Sequence, residues 1–113
     1  MKLEKEYGEI NGKWEDIKES VASKVREMID DFSEWWNNDA EENEFGGVYL
    51  DINEYSLFIE TTEDDVISNK GNIWHDTIRG IFDCDQTLCY NLHSNDWKDD
   101  IYCAVMELIE KHQ

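Results

Sequence analysis

The chain has 113 residues, of which 40% are hydrophobic, with five Trp, five Tyr and four Phe, and it carries a formal net charge of −18. That length suits one domain with one core, and the aromatic content sets it apart from disordered acidic chains. The charge disfavours nucleic acid and anionic membranes as partners and points to a strongly basic protein instead.

The acid excess is uneven. From Glu27 to Asn69 there are fourteen acids and no Lys or Arg. Two like charges about 7 Å apart in water repel by roughly 0.6 kcal/mol before salt screening. Solubility needs a net charge of magnitude only about 2–8 in a small domain, so the surplus calls for another reason. The N-terminus, MKLEKEYGEI, lacks the apolar stretch of a signal peptide, and no apolar run reaches transmembrane length. Three cysteines, Cys84, Cys89 and Cys103, are an odd number, and reduced thiols in a cytoplasm are the expectation.

Residues 13 to 38 carry apolar side chains at Trp14, Ile17, Val21, Val25, Met28, Ile29, Phe32, Trp35 and Trp36. Steps of three and four predict a long amphipathic helix beginning near Asn11 or Gly12. Its other face holds Glu15, Asp16, Glu19, Glu27, Asp30, Asp31 and Glu34. The last three approach the C-terminal end, where the helix dipole disfavours acids, so helix stability does not account for them.

An acidic connection, NNDAEENEFGG, follows at residues 37 to 47. Val48, Leu50 and Ile52 then alternate with Tyr49 and Asp51, and Tyr55, Leu57, Ile59 and Thr61 alternate with Ser56 and Phe58. The period of two predicts a β-hairpin turning at Asn53 and Glu54. After the acid-rich loop TTEDDVISNKGN, residues 73 to 82 fit either a short helix or a strand, with strand favoured for the later half. Leu88, Tyr90 and Leu92 share one face of a following strand, so a second hairpin is expected to turn at Asp83 to Gln86. Finally, Trp97, Ile101, Val105, Leu108 and Ile109 mark a C-terminal helix capped by Ser94 or Asn95. The expected fold is α+β: a long N-terminal helix, a small antiparallel sheet of hairpins, and a C-terminal helix packed on the sheet.

One string carries a chemical suggestion. In GIFDCDQTLCYN, residues 80 to 91, Asp83, Asp85, Thr87 and Leu88 form Asp-x-Asp-x-Thr-Leu. This resembles the first motif of the haloacid-dehalogenase-like phosphatases. The resemblance implies that one Asp is a nucleophile and the other a general acid beside Mg²⁺, with Asp83 ending a central parallel strand. It also implies later strands that deliver a Ser or Thr, a Lys and further acids. Too few residues follow Leu88 for those strands, so an acidic β-turn is the expectation here.

Cys84, Cys89, His93 and Cys103 supply soft ligands without the tight paired spacing of a zinc site, and buried free thiols are expected. The acid-rich loops lack the glycine that a calcium loop needs in place. No cofactor or metal is expected. The Trp35–Trp36 pair is a different matter. Consecutive helical residues point about 100° apart, so either a broad core takes both or one lies exposed as an aromatic anchor in an acidic rim.

Together these features point to a non-enzymatic inhibitor that occupies a basic, nucleic-acid-binding surface of another protein. In character the chain resembles phage-encoded DNA mimics and anti-CRISPR proteins. The candidate partner-binding residues are Asp30, Asp31, Glu34, Asp39, Glu41, Glu42, Glu44, Glu63, Asp64 and Asp65, with Trp36 as anchor. The alternatives are an immunity protein that neutralises a cognate nuclease toxin, and a small metal-dependent hydrolase or metal-binding protein. A homodimer would be a further use for an exposed strand edge or tryptophan.

Overall fold

A computed structural model describes residues 3–39, 46–60, 77–82, 86–91 and 96–113, the segments 77–82 and 86–91 by their backbone. The chain runs through strand β1 (Glu4–Ile10), helix α1 (Trp14–Glu34) with a π-helical turn (Trp35–Asp39), β2 (Gly47–Ile52), β3 (Tyr55–Glu60), β4 (Thr77–Phe82), β5 (Gln86–Asn91) and helix α2 (Trp97–Lys111). The strands form one sheet in the order β1-β2-β3-β4-β5. The fold is α+β, with the expected helices and hairpins.

The sheet is not wholly antiparallel. β1 is an additional strand, and it pairs parallel with β2 across the α1 crossover, whereas the β2–β3, β3–β4 and β4–β5 pairs are antiparallel. Its period of two is hidden by a bulge. Glu6 lies opposite Tyr49 and Glu9 opposite Asp51, so three steps on β1 match two on β2. Gly8 sits in that irregularity with φ 90°, a left-handed conformation that glycine adopts without a Cβ penalty. Tyr7 and Ile10, three positions apart, consequently both pack against the core. Charged residues at Glu4, Lys5, Glu6 and Glu9 suit a strand on the edge of a sheet.

Alternation sorts β2 and β3 cleanly. Val48, Leu50, Ile52, Leu57 and Ile59 are buried against the helices, together with Val21, Val25, Met28, Ile29 and Phe32 of α1 and Ile101, Val105 and Ile109 of α2. Tyr49, Asp51, Ser56 and Phe58 occupy the other parity and lie on the opposite face. The β2–β3 turn is the expected one. Asn53 takes φ 54°, which asparagine tolerates, and its side chain accepts from the Gly12 amide at 2.9 Å and donates to Gln113 Oε1 at 2.9 Å. It thereby ties the start of α1 and the C-terminus to the end of the sheet.

Both tryptophans of the pair are core residues: Trp35 and Trp36 are each 4% exposed. The π turn explains how. It advances each residue through a smaller angle than an α-helix does, so two neighbours can face the same interior. Phe32 meets Trp35 edge-on at 5.5 Å, and Trp35 and Trp36 are tilted at 6.3 Å. Gly46 lies so close to the Trp35 ring that a Cβ there would come within 2.7 Å of it. The exposed-anchor expectation for Trp36 is therefore corrected. At the other helix, the capping position is Asp96, without a side-chain cap bond, rather than Ser94 or Asn95.

Candidate functional site

The described cations cluster on the helical side of the molecule. Lys98 pairs with Asp30 at 2.8 Å, Arg26 with Asp99 at 3.1 Å, Lys18 with Glu110 at 3.8 Å, and Lys24 with Glu27 at 3.3 Å. Arg26 also lies 3.8 Å from the centre of the Tyr102 ring. These bridges join α1 to α2 or run along α1. They engage four of the eleven acids of the two helices.

Asp31 belongs to this system. Its carboxylate takes Lys5 at 3.0 Å and accepts a hydrogen bond from the Tyr7 hydroxyl, which fastens β1 to α1. Burial tends to raise the Asp31 carboxyl, but the Tyr7 and Lys5 hydrogen bonds outweigh it and hold the group below the usual carboxylate range. The Tyr7 hydroxyl is pushed well above its ordinary value, first by burial and then by the hydrogen bond to and charge of Asp31.

The candidate acids thus part company. Asp30 is exposed but paired, Asp31 is half-buried and paired, and Glu34 and Asp39 are exposed near the end of the first helix. Trp36 lies beneath the surface. Glu41, Glu42, Glu44, Glu63, Asp64 and Asp65 lie outside the described residues, as do Asp83, Cys84, Asp85 and His93.

The outer face of the sheet has a different character. β1, β2 and β3 together hold five acids, Glu4, Glu6, Glu9, Asp51 and Glu60, and one base, Lys5. Lys5 reaches Asp31 on the helical side. Register places Glu4, Glu6 and Glu9 beside Gly47, Tyr49 and Asp51, so the acids follow the non-core parity. Glu9 accepts from Asn11 at 2.6 Å, Asp51 accepts from the Ser56 hydroxyl at 2.7 Å, and Glu60 is in register with Arg79 of β4.

Two aromatic rings occupy the centre of this face. Tyr49 and Phe58 are directly opposed across β2 and β3, and their rings meet edge-on at 5.6 Å. The Tyr49 ring lies back along β2, where a Cβ on Gly47 would fall 2.6 Å from its hydroxyl oxygen. Beside the pair is a hollow of about 300 Å³ lined by Glu6, Gly8, Tyr49, Leu50, Asp51 and Phe58. Gly8 leaves its rim open: a Cβ there would meet nothing within 4 Å. Two carboxylates and two aromatic rings around one cavity form an environment for a cation. Tyr49, Asp51 and Phe58 are absent from the sequence-derived site, although alternation had already set them opposite the core residues of the hairpin.

The strands that flank Asp83 to Asp85 bear on the phosphatase resemblance. β4 is antiparallel to both β3 and β5, whereas the motif implies a parallel strand leading into Asp83. Cys103 is exposed on α2 rather than buried. Among the described residues there is no group of three or more His, Cys, Asp or Glu placed to hold a metal ion, and no helix is long and apolar enough to cross a membrane. No protein family, curated protein or solved structure matches this chain.

Proposed function

We propose that the protein is a non-enzymatic acidic inhibitor that acts in the cytoplasm by occupying a basic, nucleic-acid-binding surface of another protein. The observation that carries this reading is the placement of charge. Five acids of the helical layer, Glu27, Asp30, Asp31, Asp99 and Glu110, are bridged by Lys and Arg, whereas Glu6 and Asp51 border an aromatic hollow to which β1–β3 supply no base. Carboxylates that share one hollow, as Glu6 and Asp51 do, repel one another. Their energetic return comes when Lys and Arg of a partner approach, which also steers encounter and makes it sensitive to salt. Carboxylates spaced along strands can meet the same cations that grip a phosphate backbone.

The test is competitive. Host-cell proteins are retained on DNA and RNA resins at low salt, and the purified protein is added as eluant. A small set of basic nucleic-acid-binding proteins should elute, and should fail to associate with it at high salt. Elution of nothing beyond what an equally acidic unrelated protein releases contradicts the reading.

A further inference from the structure

The geometry points to the hollow beside Tyr49 and Phe58 as a socket for an arginine side chain of the partner. This rests on the proposed reading in taking the partner to be basic, and it adds which contact gives specificity. A guanidinium is planar, weakly hydrated and always charged, so it can stack on an aromatic ring while its edge meets carboxylates. Phe58 and Tyr49 provide the rings, and Glu6 and Asp51 provide the carboxylates on the same rim. Ser56 holds Asp51 at 2.7 Å and so orients one of the two acids in advance. Gly8, with no side chain and φ 90°, keeps the β1 side of the cavity clear.

The hollow beside α1 lined by Glu9, Glu19 and Glu27 also holds Lys24 and has no aromatic ring in its lining. Asp30, Asp99 and Glu110 are already engaged by Lys98, Arg26 and Lys18, and they are exposed on the helices. A lysine would satisfy the carboxylates of the socket as a point charge but would not stack. The socket should therefore prefer arginine.

The probes are a nona-arginine and a nona-lysine peptide, titrated into the full chain at physiological salt and followed by NMR. Nona-arginine should bind about two- to fivefold more tightly than nona-lysine, with the largest shifts on the Tyr49 and Phe58 rings. Glu6→Gln with Asp51→Asn should weaken it about tenfold. Asp99→Asn with Glu110→Gln, an equal change of charge, should weaken it less than about twofold. Phe58→Leu keeps the apolar bulk and should reduce the arginine preference, since only the Tyr49 ring then remains, with amide spectra verifying each fold. Equal affinity for both peptides, or shifts centred on α1 and α2, overturns the socket. Failure here with successful elution from the nucleic-acid resins discards the socket alone; the converse discards the inhibitor and leaves the socket standing.

Discussion

The two sides of the sheet differ in how their named acids are engaged. On the helical side, Asp31, Glu110, Glu27, Asp99 and Asp30 are bridged by Lys5, Lys18, Lys24, Arg26 and Lys98 respectively, and Asp31 also takes the Tyr7 hydroxyl. On the outer side, Glu6 and Asp51 border a hollow with aromatic walls and no basic residue from β1–β3. Net charge alone does not distinguish these regions. Pairing does, because a bridged acid is committed within the chain while an unbridged one remains available to an external cation.

The sharpest test of the boundary between the regions is Trp36→Ala. If Trp36 belongs to the core, as its burial beside Trp35 indicates, truncation should cost about 3–5 kcal/mol in urea unfolding. A loss below about 1 kcal/mol would return it to the surface as an anchor. Next comes Asp31→Asn, read as a function of pH. Because the folded-state pKa of Asp31 is lowered, the stabilisation is fully present above the unfolded carboxylate value and is lost as pH falls through the folded one. Wild type should therefore exceed the variant at neutral pH by about 1 kcal/mol or less, with the gap closing in acid. A gap that widens toward acid would show the sign to be wrong.

The smallest effects carry the most direct contrast. Asp30→Asn removes one partner of the Lys98 pair and should lower stability by about 0.2–1 kcal/mol. Glu6→Gln relieves repulsion on the outer face and should leave stability unchanged or raise it by up to about 0.5 kcal/mol. Changes of the same sign in the two variants would erase the distinction between the layers.

Much of this architecture is legible in the sequence. The apolar stripe from Trp14 to Trp36 and the alternation from Val48 to Ile59 give α1, β2 and β3 nearly residue for residue. β1 escapes because the bulge at Gly8 changes parity between Tyr7 and Ile10, leaving a strand whose pattern has no single period. Trp36 misleads because an α-helical angle is assumed where the backbone forms a π turn. The site is less legible than the fold. Density of acids along the chain singles out Asp30 and Asp31, yet their partners are Lys98 and Lys5, distant in sequence and brought near only by α2 and β1. Glu6 lies far from Asp51 in sequence, and the parallel β1–β2 pairing that joins them has no local signature.

The most direct measurement compares two variants with equal charge change against the proteins eluted from the nucleic-acid resins. One is Glu6→Gln with Asp51→Asn on the outer face; the other is Asp99→Asn with Glu110→Gln on the helices. The outer-face pair should weaken partner binding about tenfold or more, and the helical pair less than about twofold. Equal losses would mean that the partner senses only total charge, and that the outer face of the sheet is not where it binds.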